Sequence, residues 1–330
     1  MHNRQHQLQQ IDRILTRQVA LFRLSADARI RILSRLRSTR AKILGIVSSD
    51  LGTIKNKKQL NSLLNATDEI FKTEFAEMSG VMEELLTELS EKEMTFAASL
   101  LDIPPLARSK ALKLARDVLI LGAPSEDWWG KQSDNLNFSF ASIVRQAIVD
   151  NLAVDQIVER VRPIFNTAER GIRALVNTSV ASVSNSARLA VFDSSADDLE
   201  SVQQISTLDG HTSDICIAYS GARWTLPDHK PIGDAPDFNN GPPRHFNCRS
   251  VLVPVTIFSD EPGQRVSELG LVDRNITFDE FLKMKTKDQQ DEMLGEGKAQ
   301  LWRDGVITLR DLLNQEGRPL TLQQLEKLHV

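Results

Sequence analysis

From residue 8 to residue 101 apolar side chains recur at three- and four-residue steps, the spacing that puts them on one face of an α-helix. Ile11, Ile14, Leu15, Val19 and Phe22 open the stripe, followed by Ile30, Leu33 and Leu36, then Ile43, Leu44 and Val47. Ser25-Ala26-Asp27 offers a cap at which the helix would restart. Gly45 and Gly52 lie beside the expected break, and the period resumes over 59–101 through Leu63, Leu64, Ile70, Phe71, Phe75, Met78 and Met82. The pattern predicts two long helices joined by a short link, an αα-hairpin or an extended arm covering 1–102. Its stripe needs cover, either from the rest of the chain or from neighbouring subunits. The heptads are too irregular for a coiled coil.

Beyond the arm the pattern is more broken. Pro104-Pro105 and Gly122-Ala123-Pro124-Ser125 bracket a short helix over 106–121. The adjacent Trp128 and Trp129 cannot share one helix face, so one ring should pack inward and the other face a neighbour. A helix over 138–161 is expected, interrupted near Asp150 or Asn151, with Pro163 as a stop. Asn166 and Glu169 then form a capping-box pattern for a helix over 167–192 with an Ala- and Ser-rich seam. Gln203–Leu208 and Arg249–Val255 read as strands. From 277 the chain is helical again, with Thr277 as a cap, Gly295 and Gly297 as breaks, and Thr321 with Gln324 capping the last helix. The fold class is therefore mainly α with a small α+β module: a helical arm (1–102), a connector (103–165), a core (166–260) and a helical tail (261–330).

Composition sharpens this. Aromatic residues are only 5% of 330, so packing rests on aliphatic side chains, which favours helices over a sandwich or barrel. No apolar run reaches the roughly 18 residues of a membrane span, the N-terminus is polar, and two cysteines do not make a disulfide framework. A soluble protein made in a reducing cytoplasm is expected. Charge is unevenly spread: residues 1–60 carry thirteen Lys/Arg against three Asp, whereas 61–100 carry two Lys against nine Asp/Glu. Arg29, Arg31, Arg35, Arg37, Arg40 and Lys42 form a basic run almost free of aromatics, suited to phosphate contacts or an acidic protein surface rather than to base stacking. The plainer reading is two solvated helix faces whose charges compensate.

The loop-rich block between the two strands holds three of the six histidines and both cysteines. Cys216, His245 and Cys248 are the soft ligands that can converge, and His-x2-Cys is a workable hook for zinc. A four-ligand site would need His211, Asp214 or His229 as well. The alternative is two thiols packed as small hydrophobes beside a histidine that bonds the loop backbone. A Cys–His nucleophile pair can be built from the same residues, but no signature of a cysteine hydrolase accompanies it. Motifs for nucleotide hydrolysis, zinc proteolysis and α/β-hydrolase chemistry are absent. No catalytic residue is assigned.

The segments QQISTLDGHTSDICIAYSGARW and GPPRHFNCRSVLVPV resemble the core of the phage Mu F-like minor head, or head morphogenesis, proteins. The shared positions are Ser213, Asp214, Cys216, Gly221, Pro242, Pro243, His245, Asn247, Cys248 and Arg249. By looser pattern the resemblance extends over about 125–330. Many members carry two further cysteines where this chain has Tyr219 and Ser250, which rules out a site built on four thiolates. The motif then reads best as a polar clamp of Asp214, His245, Asn247 and Arg249 holding a loop.

The resemblance implies a non-enzymatic minor capsid protein inside the virion head near the portal vertex, assembled in the host cytoplasm. Its implied partners are the portal protein, the major capsid or scaffolding protein and, non-specifically, packaged DNA through the basic arm, with no membrane. The rival classes are a metal- or cysteine-dependent enzyme acting on DNA or peptidoglycan, and a plain DNA-binding protein.

Overall fold

The computed structural model describes residues 10–54, 56–256 and 263–329, with the side chains of Gln10, Ile11 and Thr53 left undescribed. Residues 8 and 9 of the first predicted helix, and the Ile11 side chain, lie outside this set. Ten α-helices occur among the described residues: α1 (Gln10–Asp50), α2 (Lys57–Leu101), α3 (Arg108–Asp117), α4 (Ser125–Val149), α5 (Val154–Ser194), α6 (Asp214–Tyr219), α7 (Phe278–Lys283), α8 (Lys287–Leu294), α9 (Glu296–Arg303) and α10 (Leu322–His329). The strands are β1 (Ser201–Ile205), β2 (Arg223–Trp224), β3 (Pro231–Ile232), β4 (Val251–Val255), β5 (Gln264–Ser267) and β6 (Gly270–Asp273). The chain is mainly helical with a small α+β module, as its pattern predicts.

Two compact units form, and they do not follow chain order. One takes in residues up to 20, 90–114 and 181–330; the other takes in 21–89 and 115–180. Residues of the arm and of the connector are thus shared between both units, because each long helix buries different stretches of its stripe against different neighbours.

In the unit of 21–89 and 115–180 the stripe of α2 is covered by the chain itself. Phe71 meets Phe140 of α4 edge-on at 5.8 Å and lies 6.3 Å from Phe165 of α5, and Phe75 packs against Trp129 at 6.5 Å. Of the tryptophan pair, Trp129 is buried, while half-buried Trp128 donates Nε1–H to the Ile120 carbonyl and lies under Lys131. Three expectations are corrected here. Ser25 does not restart a helix; it is buried within α1. Val19, Phe22 and Ile30, placed on the buried stripe by spacing, are exposed. Pro163 does not stop a helix, and Asn166 does not begin one, because α5 runs through both. An internal proline costs about 3 kcal/mol. Ile157, Val161, Phe165, Ala168 and Ile172 stay buried on one side across it, and burying each large apolar side chain gives back about 1.5–3 kcal/mol.

The other unit is built around a four-stranded antiparallel sheet of order β3-β2-β1-β4, with β5-β6 as a separate hairpin. Val202 of β1 faces Trp224 on one side and Pro254 on the other. Pro254 is tolerated because β4 is an edge strand, where a missing N–H need not break a ladder. Asn185 of α5 fixes the sheet from behind: its Oδ1 accepts the Leu252 N–H at 3.0 Å and its Nδ2 donates to the Ala181 carbonyl at 3.0 Å. Deeper in the same unit, Arg188 and Glu93, both fully buried, pair at 2.7 Å, and Arg17 reaches the same carboxylate at 2.7 Å. In the tail, Thr277 with Glu280 and Thr286 with Gln289 form capping boxes for α7 and α8; the second was not anticipated. Gly297, expected as a break, lies inside α9.

Candidate metal centre

Cys216 is placed by the first turn of α6, whose N-cap is Ser213: the serine hydroxyl accepts the Cys216 N–H. The Cys216 carbonyl in turn accepts from the Ser206 hydroxyl at 2.7 Å, which lies 3.0 Å from the Ser250 hydroxyl. His245 and Cys248 sit on a turn closed by the bond from Cys248 N–H to the His245 carbonyl, 3.1 Å. Asn247 takes the left-handed backbone (φ 61°) that this turn requires and that asparagine tolerates best among residues with a Cβ.

These two pieces bring three soft donors together. Cys216 Sγ lies 3.2 Å from His245 Nε2 and 3.5 Å from Cys248 Sγ, and all three ligand atoms fall within 4.8 Å of one another. In a tetrahedral zinc site, ligand bonds of about 2.0–2.3 Å place neighbouring donors about 3.5–3.8 Å apart, so the triangle is nearly the right size. The imidazole is also turned correctly. Its Nδ1–H donates to the Phe246 carbonyl at 2.8 Å, which leaves Nε2 facing the thiols. A backbone carbonyl on the other ring nitrogen is the usual support of a metal-binding histidine. The group can hold a metal ion.

The electrostatics suit a cation as well. The two thiols are hydrogen-bonded, and the bond with Cys216 holds Cys248 well below the usual thiol range, although burial opposes this. Cys216 is pushed up, first by its bond to Cys248 and then by burial. His245 is raised by its hydrogen bond with Cys248, against desolvation.

The other expected members of the site go elsewhere. Asp214 pairs with Lys298 of α9 at 3.1 Å, His229 with Asp193 at 2.8 Å, and His211 is exposed; none belongs to the donor group. The single clamp of Asp214, His245, Asn247 and Arg249 is instead several separate fastenings. Arg249 grips Asp209 with both terminal nitrogens, at 2.5 and 2.7 Å. Burial alone would raise the Asp209 carboxyl, but the Arg249 guanidinium, with the His211 N–H and the Thr212 hydroxyl, outweighs it and lowers the pKa. Gly221 adopts φ 88° in the turn from α6 to β2, where its N–H bonds the Gln204 carbonyl. Pro242 is buried and Pro243 half-buried at the entry to the His245 turn.

The two positions that lack cysteine are both occupied by satisfied polar groups. Ser250 bonds Ser206, and buried Tyr219 donates its hydroxyl to the Asp237 carbonyl at 3.0 Å. A Cβ on Gly317 would lie 1.9 Å from that hydroxyl, and Gly317 has φ 76°, so glycine is required there twice over. Asp209, Ser213 as a neighbour of His245 (2.8 Å), and Lys298 were not singled out by sequence. The Ser-x-x-Cys spacing before a short helix was the available signal for the second of these.

All six basic residues of the arm lie in the other unit. Arg29 donates to Asn177, Arg35 pairs with Glu74 and Glu77, and Lys42 pairs with Glu74. Arg31, Arg37 and Arg40 have no such partner among the described residues, and the first two are exposed. Three of the six basic residues are thus committed within the protein, Arg35 and Lys42 to carboxylates and Arg29 to an amide oxygen.

No helix among the described residues is long and apolar enough to cross a membrane. Compared with known proteins, the chain matches no family model, no curated sequence and no solved structure.

Proposed function

We propose that the chain is a non-enzymatic phage minor capsid or head morphogenesis protein, associated with the portal vertex and assisting head assembly and DNA packaging or delivery. The observation that supports it most is how the resembling motif is used. Gly221 makes a turn, Arg249 holds Asp209, Asp214 holds Lys298, and Ser213, Cys216, His245 and Cys248 close on one another. A motif spent on holding two loops to a small sheet is a folding signature. The test is co-expression with the portal protein followed by affinity capture, alongside mass spectrometry of purified particles. Portal binding and presence in particles are expected; absence of both would refute the reading.

We further propose that zinc is the ion this module would hold, through Cys216, His245 and Cys248. Two thiolates and an imidazole suit that ion best among common divalent metals. Elemental analysis of the purified protein should return about one zinc per chain, lost on Cys248→Ser together with a lower melting temperature. Metal-free protein that shows no stabilisation by added zinc would refute it.

A metal- or cysteine-dependent enzyme is the second reading. It is favoured by the Cys216–His245 contact and by a donor set of three, which leaves room for a water or substrate ligand. Burial weighs against it: Cys216 is 2% exposed and Cys248 4%, so neither thiol is open to a substrate. That reading requires Cys248→Ser to abolish a measurable activity on DNA or peptidoglycan while folding and incorporation survive.

A further inference from the structure

A second feature of the sheet-containing unit lies outside the cysteine cluster. A cavity of about 280 Å³ opens between β1, β2, the β5-β6 hairpin and the segment leading into α7. Three arginines line it, Arg223, Arg265 and Arg274, with Ser220, Asn275 and Thr277 as polar neighbours. Arg274 is paired with Asp12 at 2.7 Å. Arg265 is different. It is 7% exposed, yet no carboxylate among the described residues lies within ion-pair distance of it. Among the described residues its hydrogen bond runs from Nη2 to the Ile276 carbonyl at 2.9 Å, and its buried Nε–H meets no acceptor.

A buried guanidinium with no carboxylate in ion-pair contact is costly, and an anion that binds it relieves that cost. The cost is visible in its acidity: burial pushes the Arg265 pKa down to about 10, with Asp273 only partly opposing, so the side chain stays charged at neutral pH. The cavity has room for several waters at about 30 Å³ each, enough for a tetrahedral oxyanion and a substituent. The fork of N–H donors on a guanidinium matches two oxygens of a phosphate better than it matches a halide.

We propose that this cavity is a phosphate-binding site in which Arg265 supplies the unpaired charge and Arg223 and Arg274 complete a cationic wall. The site does not depend on the virion reading of the chain. The same oxyanion chemistry is offered by free phosphate and by a nucleic-acid backbone.

The test uses the full chain in chloride buffer, titrated with inorganic phosphate at constant ionic strength and followed by melting temperature and calorimetry. A saturable rise in melting temperature is expected, because a ligand that binds only the folded state stabilises it by mass action. Arg265→Gln should weaken phosphate binding at least about tenfold, the loss of one charge-assisted contact. Arg223→Gln, at a half-buried position, carries the same prediction should the first variant fail to fold. A phosphate response no greater than that to chloride, or variants that bind phosphate as well as the parent does, would overturn the proposal. A short DNA duplex that displaces bound phosphate assigns the source as nucleic-acid backbone, and failure to displace it assigns free phosphate.

Discussion

Glu93 and Arg188 offer the sharpest test of the forces that hold the sheet-containing unit together. Both side chains are completely buried and meet at 2.7–2.8 Å through two guanidinium nitrogens. Arg17 binds the other carboxylate oxygen, and the guanidinium groups of Arg13, Arg17 and Arg188 surround the Phe96 ring at 5.5–5.9 Å. Burial pulls the Arg188 pKa down, and Glu93 is the group that opposes this. Glu93→Gln would leave Arg188 buried without its counter-charge and still facing Arg17. Removing one partner of such a pair costs about 3–5 kcal/mol, a large share of the roughly 5–15 kcal/mol that keeps a domain folded. The double replacement Glu93→Leu with Arg188→Met removes both charges and substitutes apolar volume, so most of that loss should return; Arg17 is partly exposed and can turn to water. Urea unfolding of the parent, Glu93→Gln, the singles Glu93→Leu and Arg188→Met, and the double variant measures this, with a shared m-value as the check that one transition is compared. A Glu93→Gln penalty under about 1 kcal/mol, or a double variant as weak as the summed singles, would refute the reasoning.

Two further outcomes are expected. Asp209 has its pKa lowered in the folded state by Arg249, so it adds stability above the unfolded value of about 3.9, and that stability is lost as pH falls through the lower folded value. Melting curves between pH 6 and 2 should therefore show Asp209→Asn losing its disadvantage in acid; a constant gap from the parent across that range would contradict this. On the basic run, Arg31, Arg37 and Arg40 replaced together by Gln should reduce the salt slope of any DNA binding by up to about 0.9 per lost phosphate contact. Arg35→Gln and Lys42→Gln should instead weaken folding, because Glu74 loses the partners that hold its pKa down against burial. An unchanged salt slope in the triple variant removes these residues from any DNA contact.

What the sequence by itself determined was local. The three- and four-residue spacing located α1, α2 and the C-terminal half of α4, since helix burial is written in the order of side chains on one face. Thr277 with Glu280 and Thr321 with Gln324 located two helix starts because a capping box closes within four residues. The strands beginning near 201 and 251 were legible from their β-branched runs, and the Cys216, His245 and Cys248 group from its rare residue types. Tertiary structure decided everything that depends on what lies opposite. Spacing alone put Ile30 on the stripe, but only the neighbours of α1 leave it exposed. Pro163 looked like a stop because its missing N–H is a local fact, whereas the buried face that carries α5 across it is a long-range one. The fourth-ligand candidates fell away for the same reason, since Asp214 met Lys298, eighty-four residues distant in the chain. The lack of an ion pair to Arg265 among the described residues was invisible in the sequence, because it depends on which side chains the fold brings beside it.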